Sequence, residues 1–279
     1  MKINFDPFIV EYPPIISPIL HFKEECILAA ENVRNKNKNN LPIMVMMSGG
    51  IDSQLVAESL LLAGIEFKCV IGKLFTTLAQ KKVIFNEHDY SYAERWCNKN
   101  KIDILYCDID IYKSAESLSE YVLSAKGFSP QYACHMFMMK WCNDNGYFFV
   151  AGNGEMDIVL KDNEYYMLDE QREFTLLNFC NLHNIEGEFQ FWKQDARLIS
   201  AFIELPTVKW LMSQNIPRIL DYKHRCFSDV FEFELREKKT GFEHIQEWDS
   251  IMRNHLKQYV GCYDHKYHTP INKFRYACT

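Results

Sequence analysis

Among the ten cysteines, at 26, 69, 97, 107, 134, 142, 180, 226, 262 and 278, no two stand as Cys-x-x-Cys, which removes the usual spacing of zinc ribbons and cluster cradles. The opening Met1-Lys2-Ile3-Asn4-Phe5-Asp6 lacks a long apolar run behind a basic flank, so neither a secretory signal nor a membrane span is expected. Free thiols without an export signal point to a reducing, cytoplasmic compartment. A basic excess is missing too. The formal charge of -6 and a pI near 5.9 give no general pull toward nucleic acid or anionic lipid. No repeat of fixed period is visible, which sets aside solenoids and propellers.

What remains is a chain of 279 residues, long enough to bury a real core in one large domain or in a medium domain with a smaller companion. Residues 1–20, rich in proline and aromatics, suit an extended arm lying across a core rather than a regular element. Residues 26–33 read as helix, and the polar run at 35–40 as a loop. Apolar runs at 43–47, 67–71, 104–108 and 147–151 have strand length, and helical patterns at 51–63, 88–100 and 132–143 stand between them. Such alternation argues for a parallel sheet covered on both faces, with right-handed crossovers aligning the strand ends on one edge. Beyond residue 160 longer helical stretches are expected at 198–214 and 242–259, with a hairpin around 164–169. The expected division is therefore 1–160 as an α/β core with its N-terminal arm and 161–279 as a mainly helical region packed on it, the two forming either separate units or one continuous domain.

Ser48-Gly49-Gly50-Ile51-Asp52-Ser53 sits where a buried strand ends and a helix begins. That junction gathers backbone N–H groups and the positive helix end, which attracts an oxyanion. Gly49 and Gly50 let the backbone bend and approach phosphate oxygens, while Ser48 and Ser53 can add hydroxyl donors. Asp52 would repel bare phosphate, and a carboxylate there makes sense if it holds Mg2+ bridging the phosphates of ATP. The blander alternative is an ordinary turn with Asp52 capping the helix. The loop has neither the Gly-Lys-Ser/Thr ending of a Walker motif nor the Gly-x-Gly-x-x-Gly pattern.

Met44-Val45-Met46-Met47 followed by this loop resembles the pyrophosphate loop of the N-type ATP pyrophosphatases, or PP-loop superfamily. The resemblance implies an α/β fold with a parallel five-stranded sheet, Rossmann-like and adenine nucleotide α-hydrolase-like, with helices on both faces and a C-terminal helical region. It also implies that ATP is split between its α- and β-phosphates as a substrate oxygen is adenylated. Tyr147-Phe148-Phe149-Val150-Ala151-Gly152-Asn153-Gly154-Glu155-Met156-Asp157 is a second strand running into a glycine-rich acidic turn, which a parallel sheet would bring to the same edge. It resembles the asparagine synthetase-type motif. Aligning on Gly152 and Gly154 puts Met156 where that family has its metal-binding aspartate, so Asp157, with one inserted residue, is expected as the second metal ligand, with Glu155 nearby. The run 219–229 resembles the stretch where a family lysine precedes Phe-Ser-Asp. Counting back from Phe227 puts His224 at that place, so Lys223 or Arg225 is expected to neutralise charge on the departing pyrophosphate. The family also implies that adenine meets the backbone near Val70 and Gly72. Histidines 255, 265 and 268 lack metal-ligand spacing.

The expected function is an AMP- and pyrophosphate-forming ligase, asparagine synthetase-like, that adenylates a carboxylate or amide-like oxygen of a small molecule for attack by ammonia or an amine. Glutamine-using relatives begin with a catalytic cysteine after the initiator methionine, whereas this chain begins Met1-Lys2, so nitrogen is expected from free ammonia, an amine or a separate glutaminase subunit. Membrane and nucleic acid are not expected partners, and a homo-oligomer is compatible with all of this. One alternative is insertion of sulfur or nitrogen into a nucleobase or tRNA on the same logic, although the paired cysteines common in such relatives are missing. Another is a non-catalytic ATP-binding module.

Overall fold

The computed structural model describes residues 2–5, 8–78, 81–117, 130–233 and 265–275, with the isolated positions 246, 250 and 254. The helix expected over 242–259 thus lies outside the described residues but for those three positions, and so does His255. The N-terminal arm is more regular than its composition suggests. Strands β1 (Lys2–Phe5) and β2 (Phe8–Glu11) pair as an antiparallel hairpin, and Phe8 and Val10 pack against Phe174. Residues 12–20 then run irregularly into α1 (Phe22–Lys36), longer at both ends than expected. The polar loop behind it holds together through Asn37, whose side chain donates to Leu41 O (2.6 Å) and accepts from Leu41 N (2.9 Å).

The central sheet starts with β3 (Ile43–Met46), followed by α2 (Ile51–Leu62), β4 (Phe67–Leu78), β5 (Lys81–Ile84), α3 (Glu87–Asn100), β6 (Ile104–Asp110), α4 (Ile111–Ser117), α5 (Pro130–Asp144) and β7 (Phe148–Ala151). Its continuous apolar runs alternate between two cores, as strands buried on both faces must. Val45, Cys69, Ile71, Phe148 and Val150 face α1, α2 and α3, while Met44, Met46, Val70, Phe149 and Ala151 face α5 and the helix near residue 180. A short β10 (Gly187–Glu188), from further along the chain, completes five parallel strands in the order β10-β7-β3-β4-β6. The expected five-stranded parallel sheet is therefore present, and a sixth strand was not expected. β4 runs on to Leu78 and β5 pairs with it antiparallel, on the edge that β3 has vacated.

Asn86 makes that change of partner chemically complete. Its Nδ2 donates to Gly72 O (2.8 Å) and its Oδ1 accepts from Leu74 N (2.8 Å), between the last β3 contact, Met47 N to Val70 O, and the first β5 contact, Phe85 N to Leu74 O. A buried strand edge cannot leave such groups unmet without a cost of about 1–3 kcal/mol each.

Beyond β7 the expected helical region is partly sheet. β8 (Ile158–Lys161) and β9 (Glu164–Glu170) form a hairpin whose turn, Asp162-Asn163, takes positive φ at both residues, and β11 (Lys266–Pro270) joins β9. Between them come α6 (Thr175–His183), β10, α7 (Ala196–Ile203), α8 (Pro206–Ser213) and α9 (Lys223–Phe227). The single helix expected over 198–214 is two, because Pro206 cannot donate a backbone hydrogen bond inside a helix and starts a new one. Phe22 packs on Trp192, Phe202, Phe227 and Phe231, so residues from both sides of the expected 160/161 division share one apolar core. Among the described residues no helix is long and apolar enough to cross a membrane.

Candidate active site

The loop after β3 is tied by its own side chains. Ser53 Oγ donates to Gly50 O (3.0 Å), accepts from Ser48 N (3.3 Å) and lies 3.1 Å from Ser48 Oγ, which accepts from Gly50 N (3.2 Å). Gln54 Nε2 donates to Gly49 O at 2.7 Å. The hydroxyls expected to meet phosphate are thus engaged in shaping the turn. Gly49 has φ +73°, and a Cβ on it would stand 2.6 Å from Ala93 N and 2.8 Å from Asp89 O in α3, so both conformation and space demand glycine. Gly50 is the N-cap of α2 and brings no capping side chain, so the positive end of that helix is left for an anion.

This loop forms one wall of a cavity of about 400 Å³ at the carboxyl edge of the sheet, lined also by Gly72, Asn86, Tyr132, Gly152, Glu155, Glu173 and Lys223. The turn after β7 meets the first through bare backbone. A Cβ on Gly152 would lie 3.0 Å from Asp52 C and 3.0 Å from Ser53 N, so glycine sets how close the two turns come. Gly154 takes φ +81° and packs on Gln190.

Residues 155–157 then point three ways as the chain straightens into β8. Glu155 faces the cavity, Met156 is buried in the core, and Asp157 is buried against Arg218. Arg218 Nε donates to Asp157 Oδ1 (2.9 Å) and its Nη2 to Oδ2 (2.6 Å), a forked pair that holds the guanidinium pKa above its ordinary value against the opposing effect of burial. Asp157, expected as the second metal ligand, is therefore not brought to the cavity lining: Arg218 holds both of its oxygens away from it.

Lys223 opens α9, and the chain leading into that helix is tied to β8 where Pro217 O accepts from Leu160 N (2.8 Å). Its Nζ donates to Asp52 Oδ2 at 2.7 Å and also to Glu155 Oε1. Burial alone would lower its pKa, but Asp52 and Glu155 outweigh that and hold it above the ordinary value, so the ammonium stays charged. Of the two cations expected here, the structure brings Lys223 to the cavity; Arg225 is exposed, its guanidinium 4.9 Å from the Trp210 ring centre. Gly72 lines the cavity, with its carbonyl taken by Asn86, while Val70 is fully buried and its carbonyl accepts from Met47 N.

The Asp52 and Glu155 carboxylates converge closely enough for one ammonium to bridge them, and both supply the hard oxygens that Mg2+ prefers. Among the described residues no group of three or more His, Cys, Asp or Glu gathers as a protein-only cage, which suits an ion that takes one or two carboxylates and completes its shell with phosphates and water.

The sequence reading missed the far wall. Glu173 and Leu176, three residues apart on one helical face, both line the cavity. Lys193, fully buried, donates to Leu168 O (3.0 Å) and Glu173 Oε2 (3.0 Å) and lies 3.1 Å from Asp169 Oδ1, which also accepts from Tyr12 Oη. The only signal was a cluster of acidic residues, Asp169, Glu170 and Glu173, directly after the apolar Met167-Leu168, which reads as a solvated turn.

Residues 41–134 match the family model of the tRNA methyl transferase HUP domain. No curated protein matches the chain. A structure described as a predicted subunit of tRNA methyltransferase from Methanocaldococcus jannaschii is 15% identical, with 84% of this chain and 92% of that one covered and a TM-score of 0.38. The NH3-dependent NAD synthetase of Campylobacter jejuni is 14% identical, with 86% and 91% covered and a TM-score of 0.35. The U34-tRNA thiolase NcsA of Methanococcus maripaludis is 12% identical, with 87% and 78% covered and a TM-score of 0.37. At such scores these likenesses decide nothing about activity. The α/β sheet and the HUP-domain match support the PP-loop ATP pyrophosphatase superfamily, and nothing in them singles out the asparagine synthetases.

Proposed function

We propose that this chain binds ATP along the carboxyl edge of its sheet, splits it between the α- and β-phosphates, and adenylates an oxygen of a second substrate for attack by ammonia or an amine. The observation that carries this reading is the convergence of Asp52, Glu155 and Lys223, delivered by three separate segments, beside a glycine loop whose N-cap residue, Gly50, brings no capping side chain to α2. In this reading the amide groups of Gly49 to Ser53 receive the pyrophosphate half, and Asp52 with Glu155 would hold Mg2+. Bound there, the ion would draw charge from the phosphate oxygens and make pyrophosphate a better leaving group. Lys223 stabilises negative charge on pyrophosphate as it departs, from a site where burial strengthens that attraction.

A second reading keeps the adenylation and changes the substrate to a nucleobase, free or in tRNA, with sulfur or nitrogen as the nucleophile. The match of residues 41–134 to a tRNA methyl transferase HUP domain favours it. One experiment separates the readings. Purified chain is given Mg2+, ATP and, in parallel, pools of small carboxylic acids with ammonium or unfractionated tRNA, and labelled pyrophosphate exchange into ATP is measured. Exchange that depends on an acid supports the ligase, exchange that depends on tRNA supports the second reading, and nucleotide binding with no exchange under any condition defeats both in favour of a binding module.

A further inference from the structure

We infer that Glu173 seats a positively charged nitrogen of the substrate, an alkylammonium or ammonium ion, on the part of the cavity lining that follows β9. The inference rests on the proposed reaction for its context alone, since it concerns what the wall binds whether or not a nucleotide is present.

The argument begins with Lys193. Its ammonium is fully buried and its three donors have three acceptors, Leu168 O, Asp169 and Glu173. Asp169, itself fully buried, neutralises it, and the backbone carbonyl fills another direction. Glu173 is thus a second carboxylate sharing one lysine. A strut for Lys193 would need no further charge, and a surplus carboxylate is costly in a dry setting unless a cation or a proton meets it. Lys193 fixes Oε2, and among the described residues Oε1 has no partner. The side chain keeps 24% of its surface open, and it lines the cavity.

Burial raises the Glu173 pKa, with Asp169 and Glu170 adding to the rise and Lys193 only partly offsetting it. The carboxyl is short of positive charge. The cavity lining also holds groups suited to an alkyl body and its charge: Leu176 and Met138 are apolar, and Tyr132 is an aromatic residue of the kind that attracts ammonium groups. A sulfur nucleophile such as hydrosulfide, being anionic, would be repelled from the same place.

The test compares n-butylammonium with n-butanol, its neutral counterpart of equal length, by calorimetric titration of the native chain at neutral pH. Binding of α,β-methylene-ATP with Mg2+ is measured in the same samples. The ammonium is expected to bind at least about ten-fold more tightly than the alcohol, a gap of about 1.4 kcal/mol. Glu173→Gln should reduce that preference to within about two-fold, and Glu173→Asp should keep part of it. Equal binding of the two probes by the native chain, or a preference that survives Glu173→Gln, overturns the inference. If Glu173→Gln does not fold, the native comparison still decides, and Leu176→Lys, which carries its own ammonium to the seat, should displace n-butylammonium; tight n-butylammonium binding in that variant counts against it. Failure of the nucleotide analogue to bind refutes the proposed function and leaves the ammonium result to be read by itself.

Discussion

Lys223 Nζ lies 2.7 Å from Asp52 Oδ2 across 171 residues of sequence, and closes on Glu155 as well. A positive charge between two carboxylates from different turns defines a slot for a cation before any nucleotide arrives. Lysine and a divalent ion should compete for it.

Lys223→Met is therefore expected to raise the affinity of the nucleotide-free chain for Mn2+ by about ten-fold, since two carboxylates lose their internal partner. Pyrophosphate formation should fall by about 100-fold, the usual loss when one charge-stabilising donor is removed. Electron spin resonance of free Mn2+ reads the first effect, and pyrophosphate release the second. Weaker Mn2+ binding in the variant would rule out a shared slot.

Asp52→Asn preserves shape and removes charge. Mg2+-dependent pyrophosphate release should drop by about 100-fold or more, with the circular dichroism spectrum unchanged. Normal turnover in that variant ends the metal-holding role of Asp52.

Gly152→Ala places a methyl carbon 3.0 Å from the backbone at Asp52 and Ser53, neither of which can rotate away. Overpacking of this kind costs about 1–3 kcal/mol, and here it also spreads the two turns, so urea midpoint and nucleotide affinity should fall together. Gly49→Ala should be worse, because positive φ adds strain to contacts of 2.6 and 2.8 Å. A Gly152→Ala chain with native nucleotide affinity would show that the spacing of the turns is unimportant.

Glu173 gives a pH dependence with a definite sign. Burial, the largest influence, holds its folded pKa above the ordinary value. A folded pKa above the unfolded one contributes stability at low pH and loses it as pH rises through the folded value. As pH rises from the ordinary carboxylate range through the raised folded value, the native chain should thus lose stability relative to Glu173→Gln, which cannot ionise. Urea midpoints of both chains across that range check the direction; a difference that grows in the native chain's favour contradicts it.

Asp157 separates a structural from a metal-binding role. Arg218 already occupies both its oxygens, so Asp157→Asn should destabilise the fold by about 2 kcal/mol while leaving the Mg2+ concentration needed for half-maximal pyrophosphate release unchanged. A rise in that concentration would return Asp157 to the metal.

The sequence made the parallel sheet legible because strand and helix patterns alternate without interruption from residue 43 to 151, and burial on both faces leaves little else those runs can be. The glycine loop was legible for a local reason: strand, bend and helix follow each other directly. The partition of 155–157 was not. Which of Glu155 and Asp157 faces the cavity depends on the cation each one meets, Lys223 for the first and Arg218 for the second, and both come from a segment more than sixty residues further on. Lys193 was invisible for the opposite reason, since a lone lysine between Trp192 and Gln194 gives no local sign that three distant acceptors will bury it. The antiparallel strand β5 escaped because it pairs on an edge that exists only after β3 has turned aside.

The carboxamide of Asn86 fills the gap between those two strands as a splice would, standing in for a missing stretch of neighbouring backbone. A notch can therefore be cut into the rim of the sheet without fraying it, and the cavity gains a recess rather than a flat border. Trimming that carboxamide would strand Gly72 O and Leu74 N, so substitutions that enlarge the recess must begin at other lining residues, such as Met138 or Leu176.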